Sequence, residues 1–283
     1  MKKILATSLI MCIVISTIAH EFWISPTTYI INQPSTIQLK FNVGEDFLGE
    51  NWKGDATRVV NFTHYLPNGK STNISPSLMV SKGDSLPIEI NEQGTHMITL
   101  TSNNSFIQLN AEKFTSYLLE DGLHNAIDYR KANNEDNTDG KEFYQRNCKT
   151  IVQYGNSFDA SCTKKTNLAL DIVPRANPYE ILTAYDNKVI HDREYTVYFK
   201  GKPLAATKVM YWCKQPNGIL LKEETTTNKK GRFSFTQKTG ETMISCVKME
   251  RLQTNDTAQW QSYWGNLTFY YKAGNFFKKQ VQN

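Results

Sequence analysis

The chain reads as a mainly β protein, two immunoglobulin-like β-sandwich domains with one or two short helices in the first. Three observations lead there. Its 283 residues suit two domains at roughly 100–200 residues each. Aromatic residues make up 12% of the chain, with 14 Tyr, 14 Phe and 5 Trp, and such side chains favour pleated, half-buried surfaces. Short apolar runs also recur at about ten-residue spacing between turn residues, as in a sandwich. Hydrophobic residues at 40% and charged residues at 21% allow a packed core and exclude a disordered chain.

Residues 1–19, MKKILATSLIMCIVISTIA, have the form of a secretory signal peptide. Two lysines precede an apolar run from Ile4 to Ile15, and Thr17 and Ala19 put small residues at −3 and −1. That run is shorter than the roughly 20 residues that span a bilayer, so cleavage after Ala19 and export to the periplasm or cell surface are expected. Without Lys2 and Lys3 the net charge falls from +5 to about +3, too weak and too evenly spread for a nucleic-acid surface.

The predicted first domain covers residues 20–174. TIQLKFNV (36–43) and TRVVNFTHYL (57–66) alternate as strands, and Pro67-Asn68-Gly69-Lys70 turns the chain. THMITLTS (95–102) and SFIQLNA (105–111) read as a strand pair about Asn103-Asn104. Phe114, Tyr117, Leu118 and Ile127 then recur at helical spacing, with Gly122 dividing two short helices. ANNEDNTDGKE (132–142) reads as an exposed loop, and Pro174 and Pro178 mark a linker. The predicted second domain, 175–283, contains YTVYFK, ATKVMYWC, GILLKEETTT, GRFSFTQ, TMISCVKM and SYWGNLTFYY, all strand-like.

Cys12 leaves with the leader, and four cysteines in an exported chain favour two disulfides. The local pairing is Cys148–Cys162, across a hairpin tipped by Gly155-Asn156, and Cys213–Cys246 within the second sandwich.

A catalytic set is missing from the sequence. It has no GxSxG, HExxH or Gly-rich phosphate loop, so no enzymatic activity and no organic cofactor are expected. The acidic pairs Glu45-Asp46 and Glu120-Asp121 read as solvated surface. Five Asn-x-Ser/Thr sequons read as chance products of an Asn- and Thr-rich sequence behind a bacterial-type leader. Cleavage after Ala19 would place His20 at the mature N-terminus, where its α-amine and imidazole Nδ1 can close one chelate ring on copper, nickel or zinc. A third ligand from a strand would complete the site, with His96 the first candidate and His64 the second.

HEFWISPTTYIINQPSTIQLKFNVGEDFLGE, directly after the leader, resembles the opening of domain-of-unknown-function family 4198, the nickel uptake substrate-specific region family. The shared features are His20-Glu21-Phe22-Trp23, Pro26 and the Val43-Gly44-Glu45 turn. EKFTSYLLEDGL (112–123), EFYQRNCKTIVQYG (142–155) and LDIVPRANPYE (170–180) are similar to its helix, strand and linker in the same order. GKPLAATKVMYWC, NKKGRFSF and SYWGNLTF resemble a carboxypeptidase-regulatory-like sandwich. The resemblance implies a periplasmic or surface β-sandwich protein connected with nickel or cobalt uptake. It carries over His20 alone as a metal ligand, and the four cysteines depart from its pattern. With no membrane span after cleavage, such a protein would act as an accessory that passes metal to a membrane transporter. The alternative is an interaction module without metal, binding a protein or glycan, such as an outer-membrane partner.

Overall fold

The computed structural model describes residues 21–52, 56–80, 85–184, 190–253 and 255–273. The chain opens with β1 (Glu21–Pro26), β2 (Ile30–Ile31), β3 (Ser35–Glu45) and β4 (Leu48–Asn51). It continues through β5 (Val59–Tyr65), β6 (Ser71–Asn73), α1 (Ser75–Val80), β7 (Ser85–Ile90), β8 (Gly94–Ser102) and β9 (Ser105–Leu109). Two helices, α2 (Ala111–Glu120) and α3 (His124–Ala132), precede β10 (Gly140–Tyr154) and β11 (Leu170–Pro174). The remaining strands are β12 (Asp192–Phe199), β13 (Lys202–Pro203), β14 (Lys208–Lys214), β15 (Leu220–Thr226), β16 (Arg232–Thr236), β17 (Gly240–Arg251) and β18 (Trp260–Tyr271). The protein is mainly β, with α2 and α3 where helical spacing placed them.

The strands form three sheets. A ten-stranded central sheet runs β15-β14-β17-β18-β10-β8-β5-β6, with β2 and β9 also pairing to β10. In a four-stranded sheet, β1 lies along one edge of β3 while β4 and β7 share the other. The third sheet joins β11, β12, β13 and β16. Because side chains alternate along a strand, the central sheet has two faces to cover. Phe22, Ile24, Leu39 and Phe41 of the β1–β3 sheet pack on Phe62, Ile98, Leu100 and Val152. On that same face, Phe114, Tyr117 and Leu118 of α2 pack on Trp260 and Trp264. Ile172, Tyr195, Val197 and Phe233 of the third sheet cover the opposite face, over Ile151, Ile244 and Leu267. The result is two sandwiches that share a middle sheet. A buried ion pair between Lys149 of β10 and Asp171 of β11 ties the middle layer to the third.

This arrangement revises several expectations. Residue 174 ends β11, but the central sheet runs across that point, because β10 and β18 pair in parallel from Glu142↔Trp260 to Thr150↔Thr268. β8 and β9 do not pair with each other; each pairs antiparallel to β10, β8 at residues 151–154 and β9 at 140–144. No hairpin follows Gly155, where the chain instead turns into a short 3-10 helix, Ser161–Thr163.

Neither expected disulfide forms, and all four cysteines are free and buried. Cys148 packs under the β1–β3 sheet and Cys162 under the third sheet, so the two lie on opposite faces of the middle layer. Cys213 pairs with Thr242 and Cys246 with Val209. The two thiols are thus four residues apart along the ladder, about 13 Å at strand rise, well past the roughly 7 Å limit for a bridge.

Candidate functional site

A highly charged concavity lies where the β1–β3 sheet meets the helices, and it is built from segments far apart in sequence. Glu21 begins β1, opposite Gly44. A Cβ at Gly44 would fall 2.1 Å from the carbonyl oxygen of Leu48, so glycine lets β3 and β4 close tightly. Their two-residue turn, Asp46-Phe47, has positive φ at both positions (49° and 58°), the form that matches strand twist. Aspartate tolerates that region, but phenylalanine is strained there. Its ring holds the turn in place, fully buried 5.4 Å from the Trp23 ring with the Lys214 ammonium 4.0 Å away. Glu45 and Asp46 are thereby delivered to the cleft.

The opposite wall is the end of α2. Asn110 caps its start by accepting a 2.9 Å bond from the Lys113 amide, and Asp121 caps its end. Gly122 follows with φ 66°, and a Cβ there would lie 2.8 Å from Cβ of Lys208, so the helix end sits close against β14. Glu120 and Asp121 therefore stand at a helix C-terminus, where the partial negative charge disfavours carboxylates.

The cleft has a volume of about 360 Å³ and is lined by six carboxylates, Glu21, Glu45, Asp46, Glu120, Asp121 and Glu224. Two lysines among the described lining residues answer them. Lys222 bonds Asp46 at 2.5 Å and Lys208 bonds Glu224 at 2.7 Å. Met210, Trp212 and Trp264 also line the cleft; Trp212 is 4% exposed and its indole N–H has no hydrogen-bond partner. Glu21 Oε1 accepts a 2.6 Å bond from Ser245, while its Oε2 is shielded from solvent without a partner.

Burial raises the Glu21 pKa to about 7, against the Ser245 bond and the Arg146 charge. Burial, then repulsion from Glu21, Glu120 and Glu142, raises Asp121 to about 8. Glu142 lies behind, its Oε1 accepting from Ser262 at 3.1 Å and Tyr117 at 3.4 Å, and burial raises it to about 7. Mutually repelling carboxylates with raised pKa values in a concave site are the electrostatic signature of a functional position.

The histidines behave differently from one another. His20 lies outside the described residues. His64 and His96 come together with each other, His64 Nε2 standing 3.0 Å from His96 Nδ1. His96 Nε2 is 2.8 Å from the carbonyl oxygen of Glu92. A carbonyl only accepts, so His96 Nε2 carries the proton, and His96 Nδ1 accepts from His64 Nε2–H. Three of the four ring nitrogens are thereby committed. Along β10 the pair sits at Val152, whereas the carbonyl of Phe22 meets Cys148, four residues and about 13 Å away. The structure therefore places neither expected strand ligand beside the start of β1. Among the described residues, no three His, Cys, Asp or Glu side chains form a ready-made metal cage.

The acidic wall was visible in the sequence as two Glu-Asp pairs read as surface. The pairs face one cleft because β3, β4 and α2 pack around the start of β1. Glu21, directly after His20, had no signal of its own.

No curated protein matches the sequence. Among solved structures, the tetra-tandem repeat in the extending region of a large adhesion protein is 11% identical, with 89% of this chain and 49% of that one covered at a TM-score of 0.20. This chain thus spans about half the length of that protein. The D0-D1 domain of Intimin is also 11% identical, with 88% and 97% covered at a TM-score of 0.19. The family model described as Domain of unknown function (DUF4198) matches residues 18–247, and the chain belongs to that family.

Proposed function

We propose that this is an exported, non-enzymatic metal-binding protein that holds nickel, cobalt or copper as cargo at the acidic cleft and passes it to a membrane transporter. One observation supports the reading above the others. Glu21, the residue after His20, contributes a solvent-shielded Oε2 with no partner to a cleft of six carboxylates. The donors would be the amine and imidazole of His20 with the carboxylates of Glu21 and Asp121. That mixed nitrogen and oxygen set suits borderline divalent ions. The described carboxylates alone do not make a cage, and His20 would complete the set. His64 and His96 are not part of the set, because their ring nitrogens hold each other.

The ion would replace protons on the raised carboxylates, so loading is coupled to pH and a mildly acidic surrounding favours release. Equilibrium dialysis of protein processed to His20 tests this. The double variant Glu21→Gln/Asp121→Asn should bind Ni(II) at least about tenfold more weakly, the equivalent of 1.4 kcal/mol or more. Unchanged affinity would remove the cleft from the site.

A second reading draws on Trp212 and Trp264 in the same cleft. Aromatic faces among carboxylates suit the Lys or Arg side chain of a protein partner. An interaction module of that kind would be indifferent to an added residue before His20, and a metal carrier would not.

A further inference from the structure

Arg146, whose guanidinium stacks 4.7 Å from the Trp264 ring of the acidic cleft, also lines a second pocket of opposite character. That pocket holds about 90 Å³, with Phe22, Val43, Trp52, Leu100 and Tyr144 as its apolar walls. Phe22 and Trp52 meet edge to face at 5.1 Å, and Phe41 supports Trp52 from 6.3 Å, so the aromatic wall is fixed by packing. Its polar lining consists of Arg58, Arg146, Ser102 and Ser105, with no acidic residue among the described lining. Arg146 is held between the rings of Tyr144 and Trp264 at 5.0 and 4.7 Å and is 8% exposed, so its planar fork is pre-oriented. Arg58, at the end of a short 3-10 helix, Ala56–Arg58, is exposed.

We propose that this pocket binds a small monocarboxylate with an apolar body, an aryl or branched-alkyl acid. The apolar part lies against Trp52 and Leu100, and the carboxylate meets the guanidinium groups of Arg58 and Arg146. Three arguments select that class. Guanidinium matches a carboxylate in planar, two-pronged geometry. The pocket is half-open, so an apolar body can enter it with its polar end left outward. The Glu21 carboxylate acts on Arg146 from the other side, which favours a single negative charge over a phosphate dianion.

The test uses phenylacetate as the probe and its neutral isostere phenylacetamide, titrated into the full mature chain in excess EDTA. Calorimetry and tryptophan fluorescence, to which Trp52 should respond, give the affinities. Phenylacetate should saturate with a Kd below about 1 mM and bind at least about tenfold tighter than the amide. Arg58→Gln should shrink that preference to under about threefold while leaving the melting temperature unchanged. Ser105→Leu, which fills the pocket and keeps both arginines, should abolish binding of both compounds. Equal affinity for acid and amide, an Arg58→Gln preference like that of the wild type, or no saturation at tens of millimolar would each overturn the proposal. Because EDTA is present throughout, the outcome is independent of the metal reading.

Discussion

His64 Nε2 donates to His96 Nδ1 across 3.0 Å, and both rings are buried on the face of the central sheet that the β1–β3 sheet covers. Two adjacent imidazoles without a carboxylate between them hold each other neutral. Burial, then the neighbouring ring, lowers His64 to about 4, and burial lowers His96 as well. The pair belongs to the architecture and couples the fold to pH.

The sign of that coupling is fixed by the depressed values. Above pH 6.5 both rings are neutral folded or unfolded, and their contribution is complete. As pH falls from 6.5 toward 4 the unfolded chain takes up protons that the fold refuses, costing up to roughly 3 kcal/mol at His64. Urea midpoints for wild type and His64→Gln between pH 7.5 and 4.5 should therefore converge as pH falls. A constant difference between them would show that His64 does not titrate in this way.

Asp121 should act in the reverse direction. A raised carboxyl pKa adds stability below the unfolded value of 3.8 that is lost as pH rises through about 8. Asp121→Asn removes that loss, so its advantage over wild type should be small near pH 4 and grow to about 2 kcal/mol by pH 8.5, after discount for partial solvent access. Thermal melts at the two pH values measure it, and a variant less stable than wild type at pH 8.5 contradicts the repulsion described.

The four thiols should be inert in the native protein. Burial pushes Cys148 and Cys162 up to about 12 and raises Cys213 and Cys246 too. Only the thiolate reacts, so a disulfide-exchange reagent at pH 8 should label none in buffer and all four in denaturant. Loss of thiols from the denatured, unreduced protein would restore the disulfide expectation.

The strands were legible because burial on one face leaves period-two alternation, as in β3, where Ile37, Leu39 and Phe41 face inward. The two short helices were legible from Phe114, Tyr117 and Leu118, and from the break at Gly122. What the sequence hid was pairing at long range. β10 and β18 align in parallel over more than a hundred intervening residues, and nothing in either strand names the other. That pairing merges the two expected sandwiches around one sheet. The same kind of hidden contact made Glu45-Asp46 and Glu120-Asp121 look like solvated surface, although the fold turns both pairs into one cleft. Cys213 and Cys246 failed as a bridge through register alone, since being on neighbouring strands does not make residues opposite.

The most direct measurement of the central claim compares two forms of the mature chain, one starting at His20 and one with a single alanine before it. Calorimetric titration with Ni(II) and Cu(II) at pH 7.5 should give one ion per chain for the first form, with copper the tighter ion. The added alanine moves the free amine off His20 and splits the four-donor set into separate, weaker ligands, so affinity should drop at least about tenfold. Equal binding by the two forms, or no binding by the first at micromolar metal, would contradict a metal site built on His20 and Glu21.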